Sequence, residues 1–197
     1  MQAFSARTDI IAMGASWGGI DAYSKVLGGL PVDFPAAVLL VQHQRLESGN
    51  RLAAVLQGRT RMQVMTPDDR QRIEAGRVYV APPGYHMLVD AEGCINYSLS
   101  APVHFCRPAI DELFFSAGHV FGSRLMGVLL TGANEDGAAG LTYIRKRGGL
   151  TLAQSPESAE APVMPQSAID MGAAMEVLTL EKITKFMLKQ VVGKTDE

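Results

Sequence analysis

The stretch that decides the fold is Asp9-Ile10-Ile11-Ala12-Met13-Gly14-Ala15-Ser16-Trp17-Gly18-Gly19. Ile10 to Met13 is a short apolar run, long enough for one buried strand. Gly14-Ala15-Ser16-Trp17-Gly18 fits the pattern G-x-S-x-G. Ile20 to Leu27 then reads as a helix with Ile20, Tyr23 and Leu27 on one side. A serine between a strand and a helix sits on a sharp turn that pushes its hydroxyl out of the fold, and small neighbours let a substrate approach. The backbone N–H of Trp17 and the positive end of the helix lie where an oxyanion would form. The competing reading is the Gly-rich first turn of a Rossmann-like unit that binds a phosphate or nothing. Against it, G-x-G-x-x-G is not present, because Ser16 takes the third position.

Outward from this stretch, Gly28-Gly29-Leu30-Pro31 stops the first helix. Ala36 to Val41 is a continuous apolar run, the pattern of a strand buried on both faces of a parallel sheet. It ends in Gln42-His43-Gln44, so His43 lies just past one strand end as Ser16 lies just past another. In open α/β sheets that is where sites form. Asn50 to Gln57 has helical spacing, Met62 to Met65 is a weak strand, and Arg77 to Val80 is a strand followed by the turn Ala81-Pro82-Pro83-Gly84. His86–Asp90 and Cys94–Ser98 flank a Gly93 turn and predict a hairpin, which breaks the β–α alternation. Arg107-Pro108 predicts a helix start with proline in its first turn. Gly127 to Leu130 is a further buried strand running into Thr131-Gly132-Ala133-Asn134-Glu135-Asp136-Gly137. A helix over 141–146, a strand over 150–153, a polar loop over 154–164, a helix over 165–171, a strand over 176–178 and a helix over 181–192 complete the pattern. The expected fold is α/β: a doubly wound, mostly parallel, Rossmann-like sheet with an antiparallel hairpin insertion.

At 197 residues, with 47% hydrophobic and 19% charged residues, the sequence is that of one globular domain. Its formal net charge of -2 argues against a nucleic-acid footprint. Cys94 and Cys106 form no disulfide framework and read as cytosolic thiols. Met1 to Arg7 lacks the apolar core of a signal peptide, and no run is long enough to insert in a membrane. A cytoplasmic location is expected.

Ser16, His43 and Asp136 thus each fall where a parallel sheet presents a site. A serine hydroxyl needs a base, an imidazole can be that base near neutral pH, and a carboxylate must hold the other ring nitrogen. The chain order differs from that of the α/β-hydrolases, chymotrypsin and subtilisin. Each member has a plainer reading: a structural histidine for His43, and the N-cap of the following helix for Asp136. Asp9, Asp21, Asp33, Glu47 and above all Glu135 are rival carboxylates. His86, at the start of the hairpin, and His119, on a helix among apolar residues, read as structural. His104-Phe105-Cys106 lacks a second pair at ligand spacing, so no metal site is expected.

With these residues in view, the sequence resembles the catalytic domain of the chemotaxis protein-glutamate methylesterases, the CheB family. The resemblance runs from about Asp9 to about Met187. It is carried by Ile11 to Gly19, Val41-Gln42-His43, Gly76 to His86, Arg107 to Asp111 with Leu113-Phe114, Leu129 to Gly132 with Asp136-Gly137-Ala138, Gln154, and Met164-Pro165. It implies one catalytic domain over 1–193 with a frayed tail over 194–197, and Ser16, His43 and Asp136 as catalytic residues. Trp17, Ala133, Asn134 and Met164 are the implied oxyanion and substrate-binding positions. The implied reaction is hydrolysis of glutamate γ-methyl esters on the cytoplasmic helices of methyl-accepting chemotaxis receptors, releasing methanol without a cofactor, with deamidation of receptor glutamines in many members.

The sequence departs from the family pattern at Trp17, where a small hydroxyl residue is usual. It departs again at Ala133-Asn134, in place of Met-Gly, at Val163, in place of Gly, and at Gln166, in place of Arg. The usual phospho-receiver domain is missing from the sequence, so either this is an excised domain or the protein is regulated by something else, with a receiver domain or another protein in trans as the expected regulator. Two other readings stand beside the methylesterase: a catalytically weak domain that binds a receptor or signalling partner, and a serine esterase or amidase with another substrate.

Overall fold

The structure, a computed structural model, describes residues 8–49 and 51–192. The expectations for Met1–Arg7, for Asn50 and for the tail from Gly193 lie outside the described residues. Strand β1 (Ile10–Ala15) is buried along its length. Its side chains alternate between two cores, with Ile11, Met13 and Ala15 in one and Ile10 and Ala12 in the other. Strand β2 (Ala37–Gln42) divides likewise, Val38 and Leu40 against Ala37, Leu39 and Val41. A strand with both faces covered has no need of alternating polarity, which is why both stretches are unbroken apolar runs.

Seven strands form the main sheet: β1, β2, β3 (Gln63–Met65), β4 (Arg77–Val80), β7 (Leu125–Leu129), β8 (Leu150–Gln154) and β9 (Glu176–Leu178). Their order is β3-β4-β2-β1-β7-β8-β9, and every registered pair in the sheet is parallel. The chain winds outward from β1 in both directions, so β1 is where the strand order reverses, the usual place for a site in this architecture. Helices α1 (Gly19–Gly28), α2 (Arg51–Gln57) and α6 (Leu180–Val192) cover one face. Helices α3 (Ile110–Phe121), α4 (Ala138–Lys146) and α5 (Val163–Asp170) cover the other. The expected hairpin, β5 (His86–Val89) with β6 (Ile95–Ser98), is antiparallel and packs Met87, Val89 and Ile95 into the second core.

Two expectations are corrected. Pro108 is not in the first turn of a helix: α3 starts at Ile110 with Ala109 as its N-cap, and Pro108 follows a cis peptide bond outside the helix. The first N–H groups of α3 are satisfied instead by a carboxylate brought from elsewhere in the chain. His119 lies on the exposed face of α3 rather than among its apolar residues. Among the described residues, no helix is long and apolar enough to cross a membrane.

Candidate active site

The register of β1 against β2 ends at Ala15 opposite Gln42, and the N–H of His43 donates to Ala15 O at 3.1 Å. Ser16 and His43 therefore leave the sheet as neighbours. On the other side of β1, the N–H of Ser16 donates to Thr131 O at 2.9 Å, which joins the β7–α4 loop to the same point. Gln42 clamps the first two loops: its Nε2 donates to Ser16 O at 2.7 Å and to His43 O at 3.1 Å. Gly18 carries φ 76°, and a side chain there would begin 2.7 Å from the Glu160 carboxylate, so the turn after Ser16 requires glycine on both counts.

The far nitrogen of His43, Nε2, lies 2.7 Å from Asp136 Oδ2. Asp136 is fully buried. Its Oδ2 also accepts from the N–H of Ile110 at 2.7 Å, and its Oδ1 from the N–H of Asp111 at 3.0 Å. Asp136 is thus a helix cap, but of α3 and not of the helix that follows it. That following helix, α4, is capped by Gly137 at φ 96°. Glu135, the strongest rival carboxylate, points away: it is exposed and lies 3.5 Å from His104.

The near nitrogen, Nδ1, lies 3.4 Å from Cys106 Sγ. Asn134 Nδ2 donates to the same sulfur at 3.7 Å. Burial pushes the His43 imidazole down. The Asp136 hydrogen bond, the Cys106 hydrogen bond and the negative charge of Asp136 outweigh that and raise it to about 9. No sequence spacing links residues 43 and 106, so this neighbour of His43 is invisible until the chain is folded.

Ser16, Trp17, His43 and Ala133 line one open cleft of about 650 Å³ together with Glu160. Trp17 is 66% exposed, and its indole Nε1 donates to Glu160 Oε1 at 2.7 Å, tying the β8–α5 loop to the serine turn. Glu160 was not among the expected site residues. Thr131 Oγ1 accepts from the N–H of Ala161 at 2.8 Å and donates to Trp17 O at 2.9 Å, holding that loop from inside. Gly132 spends its N–H on Ala161 O at 2.9 Å, whereas Trp17 and Ala133 line the cleft, where their N–H groups are candidate oxyanion donors. Met164 does not line the cleft. It is fully buried, its N–H donates to Gly132 O at 2.9 Å, and its side chain packs on Gly132, so it shapes the turn from behind.

His86 is a buried structural residue: its Nδ1 accepts from the N–H of Ala109 at 3.2 Å, and Nε2 lies 3.1 Å from Ala101 O. His104 and Cys106 do not converge as a ligand pair, since His104 faces Asp111 at 3.7 Å while Cys106 faces His43. His104, Asp111 and Asp136 bring one ligand-type atom each within 4.8 Å of one another, although both oxygens of Asp136 already accept N–H bonds.

The CheB methylesterase family profile matches residues 11–187. A putative protein-glutamate methylesterase/protein-glutamine glutaminase of Leptospira interrogans is 39% identical, over 92% of this chain and 94% of its own. The Myxococcus xanthus protein-glutamate methylesterase FrzG is 40% identical over 92% of this chain and 54% of its own. The Pseudomonas aeruginosa protein-glutamate methylesterase/protein-glutamine glutaminase 2 is 40% identical over 94% of this chain and 54% of its own. The chain spans about half the length of these last two relatives. The crystal structure of the Thermotoga maritima CheB methylesterase catalytic domain superimposes with a TM-score of 0.89 at 29% identity, covering 92% of this chain and 98% of that one. Sequence similarity over nearly the full length and one shared fold lead to the same conclusion: the chain belongs to the CheB methylesterase family.

Proposed function

We propose that this chain is a serine hydrolase that removes methyl groups from glutamate γ-methyl esters on the cytoplasmic helices of methyl-accepting chemotaxis receptors, and deamidates receptor glutamines by the same route. The observation that carries this reading is the hydrogen bond of 2.7 Å between His43 Nε2 and Asp136 Oδ2, at strand ends beside Ser16. Relatives named for both activities support the two substrates.

Ser16 Oγ attacks the ester carbonyl while its proton passes to His43. Asp136 occupies Nε2, so Nδ1 is the nitrogen that takes it. The ring is used the other way round from the usual template, where Nδ1 faces the carboxylate. Backbone N–H groups of Trp17 and Ala133 hold the oxyanion. His43 returns its proton to the leaving methoxide, which departs as methanol, or to the leaving amide nitrogen, which departs as ammonia. Water then attacks the acyl-enzyme with His43 again as base, restoring Ser16 and releasing the glutamate carboxylate. The enzyme works in the cytoplasm, under a receiver domain or a signalling protein acting in trans.

The test is methanol release from methylated receptor membranes by wild type and Ser16→Ala. Release by wild type and its loss in the variant is the expected result. Equal rates in the two would remove Ser16 from the mechanism.

A further inference from the structure

We propose that Cys106 is a positioning residue for the base: its thiol competes with Ser16 for His43 Nδ1 and so sets how readily the imidazole accepts the serine proton. This rests on the reading of His43 as the base for Ser16.

The imidazole has one nitrogen to offer. Nε2 is held by Asp136, whose own oxygens are locked by the first two N–H groups of α3. Turning the ring over would leave a buried carboxylate short of a partner, which is costly. Nδ1 is therefore the working atom, and Cys106 Sγ stands 3.4 Å from it. The pair is bonded in both protonation states. With neutral His43 the S–H donates to Nδ1, and with charged His43 the Nδ1–H donates to sulfur. The Asn134 amide donates to the same sulfur in either state. The thiol is also fixed from its backbone. Val103 and Cys106 exchange N–H···O bonds of 3.1 and 2.8 Å, and the N–H of Gly84 donates to Arg107 O at 3.0 Å. Cys106 is half-buried, with its neighbour Phe105 fully exposed, so the residue that turns inward at this tip is the sulfur.

Other titratable groups surround His43. Asp136 comes from the β7–α4 loop, with Asp111 of α3 and His104 behind it. Asp21 of α1 and Glu160 of the β8–α5 loop share the cleft wall. Among the described residues, the hydrogen-bonded contact to Nδ1 is Cys106. Its sulfur, accepting from Nδ1–H, favours the imidazolium, in which Nδ1 has no lone pair for the serine proton.

The experiment follows the His43 ring by NMR in protein carrying ¹⁵N-histidine, and kcat/KM against pH, in wild type, Cys106→Ala and Cys106→Ser. Removing the thiol is expected to lower the His43 midpoint by about one pH unit and to move the acid limb of kcat/KM down with it, raising the rate at pH 7 by up to about tenfold. Cys106→Ser, close to the native shape and not ionisable near this range, is expected to shift the midpoint the same way and carries the test if the alanine variant does not fold. A cysteine that only packed its loop would change the rate at every pH and leave the midpoint in place. An unmoved midpoint in folded variants overturns the proposal even where wild type releases methanol and Ser16→Ala does not. A moved midpoint in a protein that releases no methanol leaves the role of Cys106 standing and removes the methylesterase reading.

Discussion

Asp136 Oδ2 accepts from both His43 and Ile110, while Oδ1 accepts from Asp111. One carboxylate thus orients His43, the proposed base, and caps α3. Asp136→Asn keeps one accepting oxygen and turns the other into a donor facing N–H groups. A wrong tautomer at the base costs on the order of 10⁴ in kcat. The lost cap bond and the new clash of donors cost roughly 1–3 kcal/mol of stability. Methanol kinetics and a thermal melt on the same sample check both halves, and Glu135→Gln should leave both nearly unchanged. His43 sets the pH profile. Its imidazole is raised to about 9, so the neutral form that can act as base grows as pH rises towards that value. The rate of wild type is expected to climb through neutral pH and level off above about 9, measured as kcat/KM against pH. Of these residues, Ser16 and His43 were legible because each closes an apolar run. Asp136 was legible as a strand-end acid, but its second role was not, since α3 lies earlier in the chain and only the fold brings it there.

At the scale of elements, the β8–α5 loop is held at two points. Thr131 Oγ1 binds it from inside through Ala161, and the Trp17 indole binds it from outside through Glu160. The outer bond is exposed and contributes little to stability, well under about 1 kcal/mol. Its effect falls on the cleft, whose wall includes both residues. Trp17→Phe keeps the apolar surface and removes the indole donor. The expected outcome is faster amide exchange over 155–162, an altered KM for receptor with kcat little changed, and no measurable change in melting. Exchange unchanged over that segment would mean that the inner bond holds the loop alone. The elements themselves were largely readable. Buried strands show as unbroken apolar runs such as Ala37 to Val41, and helices such as α6 show Ile183, Met187 and Val191 at helical spacing. Pro108 misled because a proline before a helix looks the same whether it lies inside or outside the first turn. What separates the cases is the supply of a cap from Asp136. Met164 misled in the opposite way: it borders the loop in sequence yet packs beneath it.

At the scale of the whole molecule, stability and activity pull against each other in pH. A histidine raised from 6.5 to about 9 contributes stability that is complete below about 6.5 and is lost as pH rises through 9. The full shift corresponds to roughly 3 kcal/mol at most. Asp111 has the same sign in a lower window, below the one that His43 sets. Burial raises its carboxyl to about 6, so the stability it gains from protonation below its ordinary range is gone once pH has risen through 6. The expected result is a melting temperature that falls by several degrees between pH 6.5 and 9.5 while kcat/KM rises, with the slope flattened in Asp136→Asn. Calorimetry across that range checks it. The doubly wound class was legible from the alternation of apolar runs and helical spacings, and the hairpin from its Gly93 turn. The strand order was not, because nothing local tells a chain that β7 returns to lie beside β1. That return has a consequence for how the protein is made. As the chain leaves the ribosome, one edge of β1 finds β2 at once, but the other has no native partner until Leu125–Leu129 has been synthesised. Through that interval a strand destined to be buried along its whole length is an unprotected edge, open to pairing with another chain. The same strand pair delivers the Asp136 loop to Ser16 and His43, so the candidate site is assembled only when the exposed edge is closed.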